Sequence, residues 1–167
     1  MAGGAFPPSL EQRLDIGLAW LNERGLTVEN LGDRLEILEL FSRYAFAMDE
    51  PDPEGVVNCF TQDGVWSSPF QGTIKGRDAI RQFNERRREK IAANPGAHRR
   101  HHILNHVITI EGDRASFRAY ILGTLIQDNK ILVGITGHYH GTVVKEDGHW
   151  KFAERHAVPD STETGWA

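Results

Sequence analysis

Beyond Asn94-Pro95-Gly96 the spacing of apolar residues changes from helical to alternating, and it stays alternating to residue 158. Residues 98–110, 114–127, 130–145 and 149–158 are rich in β-branched and aromatic side chains with a period of two. The short breaks between them read Glu-Gly-Asp-Arg, Gln-Asp-Asn-Lys and Glu-Asp-Gly-His, which are tight-turn sequences. Long strands joined by turns this short form an antiparallel meander, because a parallel pair needs a crossover of a dozen residues or more. Gly123, Gly134, Gly137 and Gly141 fall inside these strands, where glycine marks a bend, a bulge or a close backbone approach.

The first half of the chain reads as helices. Ser9 and Gln12 have capping-box spacing, Leu10, Leu14, Leu18 and Leu21 follow on one side, and Gly25 offers a stop. A second helix is expected from about Asp33, with Glu36 three residues on and Leu35, Leu38, Phe41, Ala45 and Met48 in one stripe. Asp52-Pro53 starts a short helix through Val56, Val57 and Phe60. A hairpin-like stretch then leads to a fourth helix from about Arg77, with Ala79, Ile80 and Phe83 inward and the run Glu85–Lys90 on a solvated face. Helices first and long strands later indicate an α+β fold, with helices packed on the concave face of a strongly curved, mainly antiparallel sheet. Such a concavity encloses a pocket suited to small apolar ligands.

Composition narrows the partners. A chain of 167 residues carrying a net charge of −4, with no long basic block, lacks the electrostatic footprint of a nucleic-acid binder. The lone cysteine, Cys59, sits in an apolar helical pattern and reads as a small core residue. No apolar run approaches a membrane span, and the N-terminal stretch lacks the charged and apolar regions of a leader. A cytoplasmic protein without a membrane partner is the expectation.

The stretches Leu35–Trp66, Gly72–Phe83, Arg100–Ala115 and Asp147–His156 carry a family resemblance. The chain resembles the SnoaL-like branch of the nuclear-transport-factor-2-like superfamily, a cone-shaped α+β barrel. The resemblance covers residues 31–158, leaving residues 1–30 as a helical extension and 159–167 as a tail in which Trp166 stands out. Within the branch, the site is similar to those of the scytalone dehydratases and the hexachlorocyclohexane dehydrochlorinases, lyases that use no cofactor. Carried over position by position, that similarity puts the Asp at Asp49, the catalytic His at His101, four residues before Asn105, a pocket Trp at Trp66 and a pocket Arg at Arg155. The dehydrochlorinase lysine is replaced by Tyr44, which weakens dehydrochlorination and favours an oxygen leaving group or carbonyl.

The same residues make chemical sense without the analogy. Elimination of water beside an activated C–H needs a base with a pKa near neutrality, a donor for the enolising oxygen and exclusion of bulk water. Histidine, at about 6.5, suits the first task. We assign His101 as general base, Asp49 as the carboxylate that orients it, and Tyr44 with Arg155 as oxygen-stabilising donors. Trp66 is expected as a pocket wall, with Tyr120 and Asn105 as further substrate contacts. The expected activity is that of a cofactor-independent dehydratase or isomerase for a small hydrophobic, cyclic oxygenated metabolite; aldol-type cyclisation shares the first proton transfer.

Two other readings remain open. His102 with His106, and His138 with His140, have spacings that place each pair on one strand face and could ligate zinc or iron. Adjacent His101 and His102 cannot both point inward without a bulge, however, so metal is not the expectation. The other alternative is a non-catalytic binding or assembly module, such as the small subunit of a ring-hydroxylating oxygenase. The outer sheet face should be apolar enough to call for a homodimer or homotrimer, with Ile121, Leu132 and Val143 as candidates whose facing depends on register.

Overall fold

The computed structural model describes residues 9–23, 27–94, 96, 98–161 and 163. The chain divides into two units, residues 1–35 and 36–167. The first contains α1 (Leu10–Glu23) and the opening turns of α2 (Val28–Asp49). The capping box forms: Ser9 N donates to Gln12 Oε1 at 2.9 Å and Gln12 N to Ser9 Oγ at 3.2 Å. Gly25, the expected stop, lies outside the described residues. Helix α2 starts five residues earlier than expected because Thr27, not Asp33, caps it, its Oγ1 accepting from Asn30 N at 3.0 Å.

In the second unit, the rest of α2 is followed by α3 (Pro53–Asn58), β1 (Phe60–Ser68), β2 (Gly72–Lys75), α4 (Arg77–Ala92) and the four long strands β3 (His98–Glu111), β4 (Arg114–Gln127), β5 (Lys130–Glu146) and β6 (His149–Pro159). The sheet order is β2-β1-β6-β5-β4-β3. All neighbours are antiparallel except β1 and β6, which pair in parallel through Trp66↔Arg155. Strands β2 and β3 are edges that do not pair with each other, so the curled sheet stays open and the expected barrel is not closed. Phe60, expected at the end of α3, instead begins β1, and Asp52 makes no side-chain cap.

The meander follows from its turns. Asp128 and Asn129, then Asp147 and Gly148, all have positive φ, the backbone of type I′ turns whose twist matches that of the flanking strands. Gly141 has a different reason to be glycine: a Cβ there would run into the Glu154 carbonyl oxygen, beside the β6 bulge at Ala153, which lies opposite Thr142 and Val143.

Helix α2 lays Ile37, Leu40, Phe41, Tyr44 and Met48 into the concavity, so the buried stripe is rotated from the expected one. Phe41 meets Phe117 and Phe152 edge-on at 4.9 and 5.2 Å, and Tyr44 meets Phe152 at 5.6 Å. Cys59 is buried, its thiol donates to the Gly55 carbonyl at 3.2 Å, and burial pushes its pKa up to about 12, so it packs rather than reacts.

On the opposite sheet face, Leu104, Tyr120, His138 and Val158 are cross-strand partners in one row, and the three apolar members are exposed. That row is the feature bearing on the expected homo-oligomer. Of the sequence candidates for such a face, Ile121 and Val143 turn inward and only Leu132 stays exposed. Among the described residues, no helix is long and apolar enough to cross a membrane.

Candidate active site

Asp49 is the last residue of α2. A carboxylate gains nothing from the negative end of a helix dipole, so its position needs another explanation. His101, the fourth residue of β3, supplies it: Asp49 Oδ2 accepts from the His101 backbone N–H at 2.9 Å, and Oδ1 lies 2.6 Å from His101 Nδ1. The two side chains are 3% and 7% exposed, which leaves little water to compete for these bonds. A carboxylate at Nδ1 holds the proton there and puts the imidazole lone pair on Nε2. Burial pushes the His101 pKa below its ordinary range; the Asp49 bond and charge pull upward, while Arg87 and Arg155 add to the depression. The imidazole is thus neutral, in its basic form, at neutral pH.

His101, Tyr44, Trp66 and Arg155 all line one cavity of about 610 Å³, within the range of small-molecule sites. Asp49 stands behind His101 rather than in the wall. Tyr44 Oη accepts from Trp66 Nε1 at 3.0 Å, which leaves the phenolic proton to donate elsewhere. Burial holds that phenol well above its ordinary pKa, against the nearby Arg155 charge, so it acts as a donor and not as a phenolate.

Arg155 is 1% exposed, and its Nε and Nη2 have no hydrogen-bond partner. Its guanidinium lies over the rings of Trp66, Tyr139 and Tyr44, at 4.5, 4.6 and 5.3 Å. The arrangement gathers a neutral imidazole, a phenol and a cation around one apolar space, the parts needed to remove a proton from carbon and hold the resulting oxyanion.

Two expected substrate contacts are not brought here. Asn105 is exposed, in the left-handed region at φ 55°, where it forms the β3 bulge between Leu104 and Val107. Tyr120 is 60% exposed and points to the outer face. The bulge also separates His102 from His106. It flips the parity of β3, so His102 reaches Thr124 outside, whereas His106 packs on Phe41 at 4.7 Å. Among the described residues, no three or more His, Cys, Asp or Glu side chains are grouped to hold a metal ion.

Several wall residues escaped the sequence reading. Tyr139 sits between the two histidines of His138-Tyr139-His140, and the alternation that turns the histidines outward turns the tyrosine in. Arg87 follows Ile80 and Phe83 at helical spacing and donates to the Met48 carbonyl at 2.7 Å, so the basic run on α4 is not wholly solvated. Arg99 precedes His101 by two residues on the same strand face and also lines the cavity.

The family model described as a SnoaL-like domain matches residues 29–156. The chain belongs to the SnoaL-like family. Solved structures agree on the fold. An NTF2-like protein with a cystatin-like fold from Novosphingobium aromaticivorans is 24% identical, with 87% of this chain and 92% of that one covered and a TM-score of 0.72. A single-site variant of Rv3472 from Mycobacterium tuberculosis, a protein of unknown function, is 28% identical over 79% of this chain and 74% of that one, with a TM-score of 0.70. A protein from Novosphingobium aromaticivorans provisionally named scytalone dehydratase is 26% identical over 79% of this chain and 87% of that one, with a TM-score of 0.67. No curated protein matches the chain.

Proposed function

We propose that this SnoaL-like protein is a dehydratase or isomerase that abstracts a proton beside a carbonyl of a small hydrophobic, cyclic oxygenated metabolite. The observation that carries the reading is the two-point grip of Asp49 on His101, which fixes the tautomer with the basic lone pair on Nε2.

In the proposed step, His101 Nε2 takes the proton from carbon and the C–H electron pair moves into the adjacent carbonyl, giving an enolate. Tyr44 Oη–H and the Arg155 guanidinium donate to the enolate oxygen. Asp49 stabilises the imidazolium that forms. Return of the electron pair expels a β-hydroxyl, which leaves as water with the proton from His101; reprotonation at another carbon gives the isomer instead. The neighbour provisionally named scytalone dehydratase supports the dehydration branch.

The first test is solvent exchange. Incubated in D₂O with 2-tetralone and its hydroxylated relatives, the protein is expected to exchange α-protons faster than buffer does, as followed by proton NMR, and His101→Gln is expected to remove that excess. Exchange that persists in His101→Gln would contradict the assignment of the base.

A further inference from the structure

On the concave face of β5, Tyr139 stands among small residues. Its cross-strand partners are Ala119 and Ala157, and its neighbours two residues away along the strand are Gly137 and Gly141. No bulky partner within the sheet fills the space beside its ring, and both Tyr139 and Ala157 belong to the cavity wall. The residue is 5% exposed, and among the described residues no group is hydrogen-bonded to its hydroxyl. A buried hydroxyl without a partner is a net cost, and phenylalanine would give Arg155 the same ring contact without it. The hydroxyl therefore answers to something that enters the cavity.

Its neighbours show what that is. The Arg155 guanidinium carbon lies 4.6 Å from the centre of the Tyr139 ring and 5.3 Å from that of Tyr44, and the two phenol rings stand 6.4 Å apart, nearly perpendicular at 81°. Tyr44 Oη already accepts from Trp66, which leaves its proton to give, and the Arg155 Nε and Nη2 have no acceptor. We propose that Tyr139 is a third donor to the substrate's carbonyl oxygen, beside Tyr44 and Arg155. An enolate oxygen carries negative charge that the ketone lacks, so each further donor held in place favours the enolate. Burial raises the Tyr139 pKa against the pull of the Arg155 charge, so the phenol donates its proton in a hydrogen bond and does not ionise. The two flanking alanines leave room for a flat ring against it. The inference rests on the proposed reaction only in taking the oxygen bound at Arg155 as the substrate's.

The test is an absorbance titration of bound 6-cyano-2-naphthol, a flat and stable stand-in for the enol of 2-tetralone. The wild-type protein is expected to bind the naphtholate more tightly than the naphthol, lowering the pKa of the probe. Tyr139→Phe should give back about one unit of that shift, a tenfold loss of preference for the anion. It should also lower kcat for α-proton exchange of 2-tetralone about tenfold or more with KM nearly unchanged, while thermal stability holds or rises because no partner is lost. A wild-type protein that does not bind the probe, or a probe pKa that Tyr139→Phe leaves unmoved, would overturn the inference and make Tyr139 a packing residue. His101→Gln should keep the Tyr139-dependent shift while losing exchange. If the wild type shows that shift without any exchange, the proposed reaction fails and the oxygen site stands.

Discussion

Asp49→Asn is expected to slow proton abstraction by about a thousandfold or more while the protein stays folded. Asparagine is the same size and can still meet the His101 backbone N–H, so the junction between α2 and β3 survives. What changes is the partner of Nδ1. An amide can present its NH₂ to the ring, which stabilises the tautomer with the lone pair on Nδ1 and leaves a proton, not a base, at Nε2. It also supplies no negative charge to the imidazolium, which in the wild type forms 2.6 Å from a nearly buried carboxylate. The rate of α-proton exchange in D₂O checks this, with circular dichroism as the folding control. A loss of less than about tenfold would mean that Asp49 is a structural anchor only.

Acid should affect the same pair. Burial lowers the folded pKa of His101 below the ordinary value of 6.5. Protonating the ring therefore costs folded stability, which is fully present above the unfolded value and is lost as pH falls through the depressed folded value. The acid limb of the rate profile should lie below pH 6.5 for the same reason, since the base stays in its active form to lower pH than an exposed histidine would.

Arg155→Met should slow turnover sharply and yet make the protein more stable. Arg155 is buried with two nitrogens lacking acceptors. Unsatisfied buried donors cost roughly 1–3 kcal/mol each, and removing the charge from water costs several more. Against this stand three aromatic rings within 5.3 Å, each contributing on the order of 0.5–2 kcal/mol. Desolvation wins, and methionine keeps a flexible stem of similar reach among the same rings. Urea unfolding is expected to show a gain of about 1–3 kcal/mol, while the oxyanion donor is lost with a rate penalty of about a hundredfold or more. A loss of stability would show that the ring contacts outweigh the buried charge, and that Arg155 is retained for packing.

Periodicity carried most of the fold, and the departures have local causes. The four long strands were legible because alternation and turn chemistry agree over each of them. The start of α2 was not, because Asp33 and Glu36 imitate a capping box. Glu36 has a tertiary task instead: its Oε1 accepts from Trp150 N at 3.1 Å, tying helix to sheet. Asn105 was misplaced because one bulged residue reverses every later side chain in β3, and nothing in the local sequence marks its position. In the site, Asp49 and His101 were legible only through family spacing. Arg87 and Arg99 were hidden in basic runs that ordinarily face water, although the spacing of each from Ile80 and His101 follows the inward faces of α4 and β3.

The most direct test of the whole account is an NMR titration of the histidines in the wild type and in Asp49→Asn, with the His101 signals identified by substitution. Wild-type His101 is expected to titrate below 6.5, and Asp49→Asn to drive it lower still, because the Asp49 charge that favours the imidazolium has gone. A His101 that titrates like an exposed imidazole and ignores the loss of Asp49 would contradict the dyad, and with it the proposed proton transfer.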